Sequence, residues 1–178
     1  MGLMDCSAER MRVEAIGGDE EAFSRLLAPA IQPGFRLAVG MLQDRAEAED
    51  VVQEAVLKAW RRLGTFRADA EFTSWFLGIV ANQCRTVRRG RWWAVIRHSE
   101  PPSPPADAGT APADHDLRRA LLRLDADRRL IVVLHYYLDM GLEDVAAVVG
   151  APVGTIKSRL HRALCALRLD SALQGDVA

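Results

Sequence analysis

Apolar residues recur at spacings of three and four along most of the chain, a pattern typical of helices that bury one face. Glycine and proline are sparse inside these stretches, and runs of β-branched residues are short. The pattern therefore predicts an all-α protein. The predicted helices cover residues 20–27, 35–42, 46–63, 72–89, 117–123, 127–138, 142–149 and 153–169.

Turn and cap signals lie between these helices. Pro33 and Gly34 predict a turn, and so do residues 139–141. Asp19 and Asp44 each precede a predicted helix. We expect both to be N-caps, because a carboxylate can accept the unpaired N–H groups of a first helical turn.

A proline-rich segment divides the chain. Five of the eight prolines lie in residues 99–114, among small and polar residues that offer nothing large to bury. This composition is typical of a flexible, extended linker. We expect it to join two small helical domains, residues 19–98 and 115–173, with residues 1–18 as an N-terminal tail.

The net charge of −1 hides a strong separation of charge along the chain. Residues 72–99 contain five arginines and no acid, and residues 153–169 are also free of acids, whereas acids gather at 19–21 and 47–54. Basic surface in two places and an acidic face elsewhere suggest a nucleic acid and a separate protein partner. On charge alone, ordinary solvated helix faces remain the alternative.

Residues 142–168 have the pattern of a helix-turn-helix. A two-turn apolar helix is followed by Gly150, which permits the positive φ of a tight turn, and by Pro152, which suits a first helical position. Ile156 is expected to hold the second helix against the first. The segment therefore predicts that the C-terminal domain is a helix-turn-helix.

The second of these helices has an apolar back and a polar front. Thr155, Ser158, Arg159 and Arg162 share the front, and the flanks carry Lys157, His161 and Arg168. Arginine can pair bidentately with guanine, and hydroxyls can contact base edges or phosphate. We therefore expect this helix to read duplex DNA, the alternative being an ordinary amphipathic helix.

The predicted helix 46–63 is acidic opposite its apolar face. Its outer side carries Glu47, Asp50 and Glu54, with Gln53 beside them, and Leu57 and Val51 also fall outside the apolar arc. Such a surface suits docking to a basic protein partner. A solvated face stabilised by a Glu54–Lys58 pair is the alternative.

The helix 72–89 combines small residues with cations on its polar side. Trp75 and Phe76 are expected in the core, while Gly78, Ala81, Asn82, Arg85 and Arg89 face outward. The preceding loop, residues 66–71, places aromatic, basic and acidic groups together, and such a loop beside a basic helix could hold an unstacked base of single-stranded DNA. Trp92 and Trp93 are either an apolar cap on the domain or a stacking platform.

The parts of an enzyme are missing from the sequence. The four histidines show no metal spacing, and no glycine-rich phosphate loop follows a strand. His161 and Cys165, one turn apart, would supply only two zinc ligands. We therefore expect no catalytic residue, metal, cofactor or small-molecule substrate.

The chain also carries no export or membrane signal. It has no apolar run of 18 residues and no secretory leader pattern, and Cys6, Cys84 and Cys165 lie too far apart for a C-x-x-C half-site. An odd number of cysteines without an export signal is typical of a reducing compartment. The expected location is the cytoplasm, without membrane insertion.

Three segments, taken in order, resemble one family. Residues 44–60 resemble the polymerase-binding helix in region 2 of extracytoplasmic-function sigma factors, a group of bacterial transcription initiation factors. Residues 66–75 and 79–82 are similar to that group's promoter-melting segment, and residues 152–163 resemble the −35-reading helix of its region 4. The three motifs occur in the family's order, with a linker between the halves.

The resemblance implies a factor that binds core RNA polymerase, directs it to promoters and helps to open the DNA. Contacts to the clamp helices of the largest polymerase subunit would come from Glu47, Asp50, Gln53, Glu54 and Leu57. The −10 element would be held by Phe66, Arg67, Ala68, Asp69, Asn82, Arg85 and Arg89. The −35 element would be read by Thr155, Lys157, Ser158, Arg159, His161 and Arg162. Residues 19–98 would be region 2, residues 115–173 region 4, and an anti-sigma factor the expected regulator.

Two positions depart from the family's pattern. Gly141 stands where Ser or Thr usually caps the helix-turn-helix, so this helix start is expected to be weaker, and Thr86 replaces a frequent Asp. A helix-turn-helix regulator that binds duplex DNA without polymerase is the alternative function. It would share residues 142–168 but would have no use for the acidic helix or for residues 66–89.

Overall fold

The computed structural model describes the backbone of residues 3–67, 70–98 and 112–175, and the side chains of 10–67, 70–90 and 118–168. Within these ranges the secondary structure is helical and contains no strand, which confirms the all-α prediction. The helices are α1 (Leu3–Ile16), α2 (Glu20–Leu42), α3 (Arg45–Arg62), α4 (Phe72–His98), α5 (Pro112–Arg123), α6 (Ala126–Val132), α7 (Leu142–Val149) and α8 (Val153–Gly175). A 3₁₀ turn (Leu63–Thr65) follows α3, and a π-helical turn (Val133–Tyr137) continues α6.

Helix α2 corrects the prediction of two helices separated by a turn. It runs without interruption through Pro29 and Pro33, although a proline inside a helix costs about 3 kcal/mol. Its apolar residues are buried from Phe23 to Met41, and this packing offsets that cost. Gly34 is needed for close approach rather than for a turn, since a Cβ there would lie 2.8 Å from the Phe76 ring.

The predicted N-caps are confirmed. The Asp19 carboxylate accepts hydrogen bonds from the N–H groups of Glu21 and Ala22, at 2.9 and 3.1 Å, and so begins α2. The Asp44 carboxylate accepts one from Glu47 N–H at 3.0 Å and begins α3. Both caps satisfy N–H groups that have no partner inside their own helix.

Several helix ends differ from the prediction. Residues 3–16 form α1, which packs on α2 through Ala15 and Met11, where the sequence predicted a tail. Helix α4 extends nine residues beyond the predicted end, to His98, and α5 begins at Pro112 instead of residue 117. Proline suits the first position of α5, because that position needs no N–H donor. The remainder of the predicted linker, residues 99–111, lies outside the described residues.

The N-terminal and C-terminal helices pack against each other around one apolar core. Helix α4 contacts α7, and α2 contacts the π-helical turn. A Cβ on Gly40 would lie 2.7 Å from Val133 Cγ1, and one on Gly78 would lie 3.4 Å from the Val148 carbonyl oxygen. Glycine at position 40 therefore allows the helices of the two regions to approach closely, whereas a Cβ at position 78 would make an ordinary van der Waals contact.

Polar contacts reinforce this interface. Arg36 donates to the backbone carbonyl of Tyr137 and lies over the Tyr137 ring, 4.7 Å from its centroid. Arg118 donates to the side-chain and backbone oxygens of Gln43, both at 2.9 Å. Backbone carbonyls accept hydrogen bonds from both Arg36 and Arg118, so these two arginines are held across the interface without a carboxylate.

Arg129, at the centre of the interface, is a fully buried cation. Its guanidinium donates to the carbonyls of Leu121, Leu122 and Leu124 near the end of α5, and to that of Met41 in the last turn of α2. The negative ends of two helix dipoles thus surround it. Burial, together with the charge of Arg88, lowers the pKa of Arg129 to about 10, so the group stays protonated at neutral pH.

No helix in the described part of the chain combines the length and the apolar character that a membrane crossing requires.

Candidate nucleic-acid and polymerase interfaces

The helix-turn-helix forms where the sequence predicted it. Helix α7 covers residues 142–149 as expected and ends at Gly150, whose φ is 70° and whose N–H donates to Ala146 O at 2.9 Å. The Pro152 carbonyl then accepts from the N–H groups of Thr155 and Ile156, which starts α8. Gly141 is the N-cap residue of α7 and provides no side-chain cap hydrogen bond.

Helix α8 buries the predicted face and exposes the other. Ile156, Leu160 and Ala163 are buried against the core. The outward positions are exposed at Lys157, Ser158, His161 and Arg162 and partly exposed at Thr155 and Arg159. These side chains form one polar and basic surface, as an element that enters the major groove requires.

Two of these residues interact within the helix. The Arg162 guanidinium lies along Ser158, with Nε 3.3 Å from its carbonyl oxygen and Nη2 3.4 Å from its Oγ. Ser158 Oγ donates in turn to Thr155 O at 3.0 Å. The two contacts of Arg162 are exposed and long for hydrogen bonds, so its guanidinium can exchange them for contacts with bases or phosphates.

His161 and Cys165 are neighbours on α8. Nε2 of the histidine lies 3.6 Å from the cysteine sulfur. The described residues contain no group of three or more His, Cys, Asp or Glu side chains that could hold a metal ion. The pair thus has two of the four ligands that zinc requires.

Helix α3 presents a compact outer face. Asp50, Gln53, Glu54 and Leu57 are all exposed, and Leu57 leaves 49% of its surface accessible. Their spacing of three and four places them on one side of the helix. An acidic surface with an exposed leucine can bind a basic and partly apolar partner.

Two residues of α3 correct the predicted arrangement. Val51 is buried at 3% exposure, because α3 packs on both α2 and α4 and its buried arc is wider than the sequence pattern indicated. Glu47 is half-buried, and its charge adds to the burial that raises the pKa of the Cys84 thiol on α4. Of the five predicted polymerase contacts, Glu47 alone is turned toward the core.

The Glu54–Lys58 pair, on which the alternative of a solvated face depended, does not form. Lys58 Nζ instead donates to Gln83 Oε1 on α4, at 2.5 Å. This contact joins α3 to α4 and leaves the outer face of α3 with a net negative charge.

On α4, the predicted polar side faces both solvent and the C-terminal region. Asn82 and Arg89 are exposed, whereas Arg85 reaches the Asp127 carboxylate, with Nη2 at 2.9 Å and Nε at 3.2 Å from Oδ1. Ala81 was expected to face outward but is buried at 1% exposure, because α7 packs against this side. In this structure the small residues of α4 therefore allow the backbone of α7 to pack closely against it.

The loop before α4 is built differently from the sequence expectation. Phe66 is 7% exposed and packs against Phe72 and Trp75, with ring centroids 5.4 and 5.1 Å away. The Glu71 carboxylate caps α4, accepting from the N–H groups of Thr73 and Ser74. In this conformation the Phe66 ring belongs to the core, and Arg67 is the exposed member of the pair.

Some predicted positions lie outside the described residues. Ala68 and Asp69 of the loop are among them, and so are the side chains of Trp92, Trp93 and Cys6. The structure adds Asp127 and Arg129, which the sequence analysis did not single out. In the sequence, Asp127 looks like any acid in the first turn of a helix, and Arg129 looks like a surface cation. The residues around them therefore do not reveal their distant partners.

Cys84 and Cys165 are expected to differ strongly in reactivity. Burial raises the pKa of the Cys84 thiol to about 12, although Arg85 and Arg88 counteract part of this shift. Only a thiolate attacks an alkylating reagent, and about one Cys84 in ten thousand is ionised near pH 8. Cys165 is exposed. Iodoacetamide should therefore label Cys165 long before Cys84, as peptide mass spectrometry can measure.

The control for this prediction is the same labelling in guanidinium chloride. Unfolding removes the burial of Cys84, so both cysteines should then react at similar rates. Comparable labelling rates in the native protein would contradict the burial of Cys84.

Comparison with known proteins places these features in one family. The chain matches the family model of sigma-70 region 2 over residues 31–94 and that of sigma-70 region 4 over residues 114–167. The RNA polymerase sigma-H factor of Pseudomonas aeruginosa is 35% identical, over 88% of this chain and 89% of that protein. This chain belongs to the sigma-70 family. The ECF RNA polymerase sigma-E factor of Escherichia coli K12 is 30% identical, over 82% of this chain and 84% of that protein, which places the chain in the extracytoplasmic-function group.

Solved structures agree with this assignment. CnrH, in complex with the cytosolic domain of CnrY, has a TM-score of 0.70 at 25% identity, over 97% of this sigma factor and 99% of that chain. The sigma factor RpoE of Bartonella quintana, in complex with the anti-sigma factor NepR, has a TM-score of 0.67 at 28% identity, over 84% of this chain and 96% of that one. The likeness spans both regions. This chain is therefore a sigma factor that binds RNA polymerase and directs it to promoters.

Proposed function

We propose that this sigma factor binds core RNA polymerase through the outer face of α3. Asp50, Gln53, Glu54 and Leu57 would contact the clamp helices of the largest subunit. The observation that carries this proposal is the exposed acidic face, whose neighbouring lysine is engaged with α4 instead. Charge complementarity across such a face sets association rate and partner choice. Glu47 would act at the edge of this contact, since it is half-buried.

The two basic surfaces would bind promoter DNA. On α4, Asn82, Arg85 and Arg89 would hold the opened −10 strand together with the loop that begins at Phe66. Because the Phe66 ring lies in the core, we assign the loop's contact with a flipped base to its exposed members, beginning with Arg67. On α8, Thr155, Ser158, Arg159 and Arg162 would read the −35 duplex, with Lys157 and His161 at its edges.

The regulation and location of this sigma factor follow from the same proposal. Two similar structures contain a second bound chain, and in one of them that chain is an anti-sigma factor. An anti-sigma factor would therefore also control this protein. It would act in the cytoplasm, where the polymerase transcribes. It would contribute no catalytic chemistry, because polymerase performs the reaction.

The test exchanges charge on α3. The double variant Asp50→Lys, Glu54→Lys should weaken binding to core polymerase about tenfold at moderate salt, while far-UV circular dichroism stays unchanged, because both residues are exposed. The measurement is fluorescence titration of labelled sigma factor with core polymerase. Loss of affinity should be greatest at low salt.

A matched control reverses two exposed acids elsewhere. Glu20→Lys with Glu21→Lys changes the net charge equally but lies at the start of α2. It should leave polymerase affinity within about twofold of the parent. Equal affinity of the α3 variant and the parent would overturn the docking face. Free passage of the parent protein over immobilised polymerase would instead favour a regulator that acts on DNA alone.

A further inference from the structure

Asp127 joins the two predicted DNA-binding surfaces. Its Oδ1 accepts from Nη2 and Nε of Arg85 on α4, at 2.9 and 3.2 Å. Its Oδ2 lies 3.8 Å from Nη1 of Arg159 on α8. Asp127 itself belongs to α6, so one carboxylate connects helices from both regions.

This contact occupies groups that the proposed function assigns to DNA. The Arg85 side chain is 26% exposed and that of Arg159 is 36% exposed. Arg85 Nη1 also donates to Asn82 Oδ1 at 3.1 Å, so the amide acceptor is engaged as well. A carboxylate that accepts paired N–H donors from arginine resembles a phosphate in charge and in hydrogen-bond geometry.

The distance between the two DNA targets makes this arrangement incompatible with promoter binding. Elements centred at −35 and −10 lie about 25 base pairs apart, which is roughly 85 Å of duplex at about 3.4 Å per base pair. In the structure the arginines assigned to these elements lie 2.9 and 3.8 Å from one carboxylate. Both elements therefore cannot be bound until the regions separate.

We propose that Asp127 acts as an internal phosphate mimic that holds the free sigma factor in a closed, DNA-incompetent state. The proposal rests on the DNA roles assigned above to Arg85 and Arg159. The free energy of binding to polymerase would offset the cost of separating the two regions. Each arginine would then exchange the carboxylate for a DNA phosphate or base. Promoter recognition would thus be restricted to the polymerase-bound protein.

The ion pairs do not hold the closed state alone. A half-exposed carboxylate contributes modestly to stability, because solvent and salt screen it. Apolar packing contributes the remainder, including the contact of Gly40 with Val133. The closed state should therefore respond to two independent changes, one in charge and one in shape.

The charge test replaces Asp127 with asparagine in the full chain. The probe is a fluorescent oligo(dT) of about 20 nucleotides, long enough to span a single-strand site. Asp127→Asn should bind this probe about threefold to tenfold more tightly than the parent at low salt, because two cations are released toward solvent. Glu143→Gln removes the same charge from an exposed position on α7 and should change affinity by less than about twofold.

The shape test uses Gly40→Ala. The added methyl group would lie 2.7 Å from Val133 Cγ1, so this contact between the two regions must shift, and we expect the closed state to be weakened. Small-angle scattering should show a larger radius of gyration, and probe affinity should rise in parallel. Gly90→Ala adds the same methyl group on α4, where nothing lies within 4 Å, and should change neither quantity.

The outcomes separate this proposal from the one on which it rests. If neither variant changes the probe affinity or the radius of gyration, the closed state is overturned. If the radius increases but the affinity does not, the DNA roles of Arg85 and Arg159 are wrong and the mimicry fails with them. Adding Arg85→Ala to Asp127→Asn should abolish the gain in affinity, and a retained gain would also overturn the mimicry.

Discussion

Replacing Arg129 with methionine is expected to lower the free energy of unfolding by about 3–5 kcal/mol. Methionine approximates the volume of the side chain but donates no hydrogen bond. The carbonyls of Leu121, Leu122, Leu124 and Met41 would then lose their buried donor. Each unsatisfied buried carbonyl costs about 1–3 kcal/mol, and relaxation at the end of α5 would recover part of the total.

Urea unfolding monitored by far-UV circular dichroism measures this effect. Arg119→Met is the matched control, since Arg119 is exposed on α5 and its loss should stay within about 0.5 kcal/mol. Arg129→Lys keeps the charge but has a single donor group in place of the planar guanidinium. Its loss in the free energy of unfolding should therefore lie between those of the other two variants. A loss below about 1 kcal/mol for Arg129→Met would contradict the account of a buried, fully bonded cation.

Replacing Arg162 with alanine is expected to reduce holoenzyme affinity for a cognate promoter by about 1–3 kcal/mol, or roughly fivefold to 150-fold. Arg162 is exposed at the centre of the outward face of α8, and among the described residues its guanidinium is held by two long contacts to Ser158. It is therefore available to pair with a base edge in the major groove. The promoter would be selected by holoenzyme from a random-sequence library.

The comparison that decides the role of Arg162 uses a second template with a scrambled −35 element. Arg162→Ala should weaken binding to the selected promoter but barely change binding to the scrambled one. Arg168 lies on the exposed flank, and Arg168→Ala should weaken binding to both templates alike. It should also reduce the slope of log affinity against log salt concentration by about one. Equal losses on both templates for Arg162→Ala would identify it as a phosphate contact.

The C-terminal helix-turn-helix was predictable from the sequence because its signals are local. Helix α7 and the start of α8 lie where the apolar spacing placed them. Gly150 adopts the positive φ that its position suggested, and Asp19 and Asp44 cap the helices that follow them. Each of these features depends on contacts within four residues, which a sequence pattern records directly.

The polymerase-binding surface was predictable in part. The exposed positions of α3 follow from helical periodicity, which places Asp50 and Glu54 opposite the core. Periodicity does not reveal how many neighbours a helix has. Because α3 is covered on two sides, Val51 is buried and Glu47 is drawn inward.

Tertiary packing decided the remaining features. The local sequence predicted that a helix ends before Pro33. Helix α2 nevertheless continues, because its apolar side is buried along its whole length. Phe66 was placed in a DNA-binding loop, yet Phe72 and Trp75 enclose its ring.

The sequence by itself determined the helices, the family and the polar faces, since these depend on residues close together in the chain. The closed arrangement depends on contacts that span 42 residues between Arg85 and Asp127 and 88 residues between Arg129 and Met41. An acid or a cation in a helix has the same local pattern whether it faces water or another region. Only the packing of the two regions turns Asp127 toward two arginines and buries Arg129, because burial and charge pairing are properties of the assembled fold.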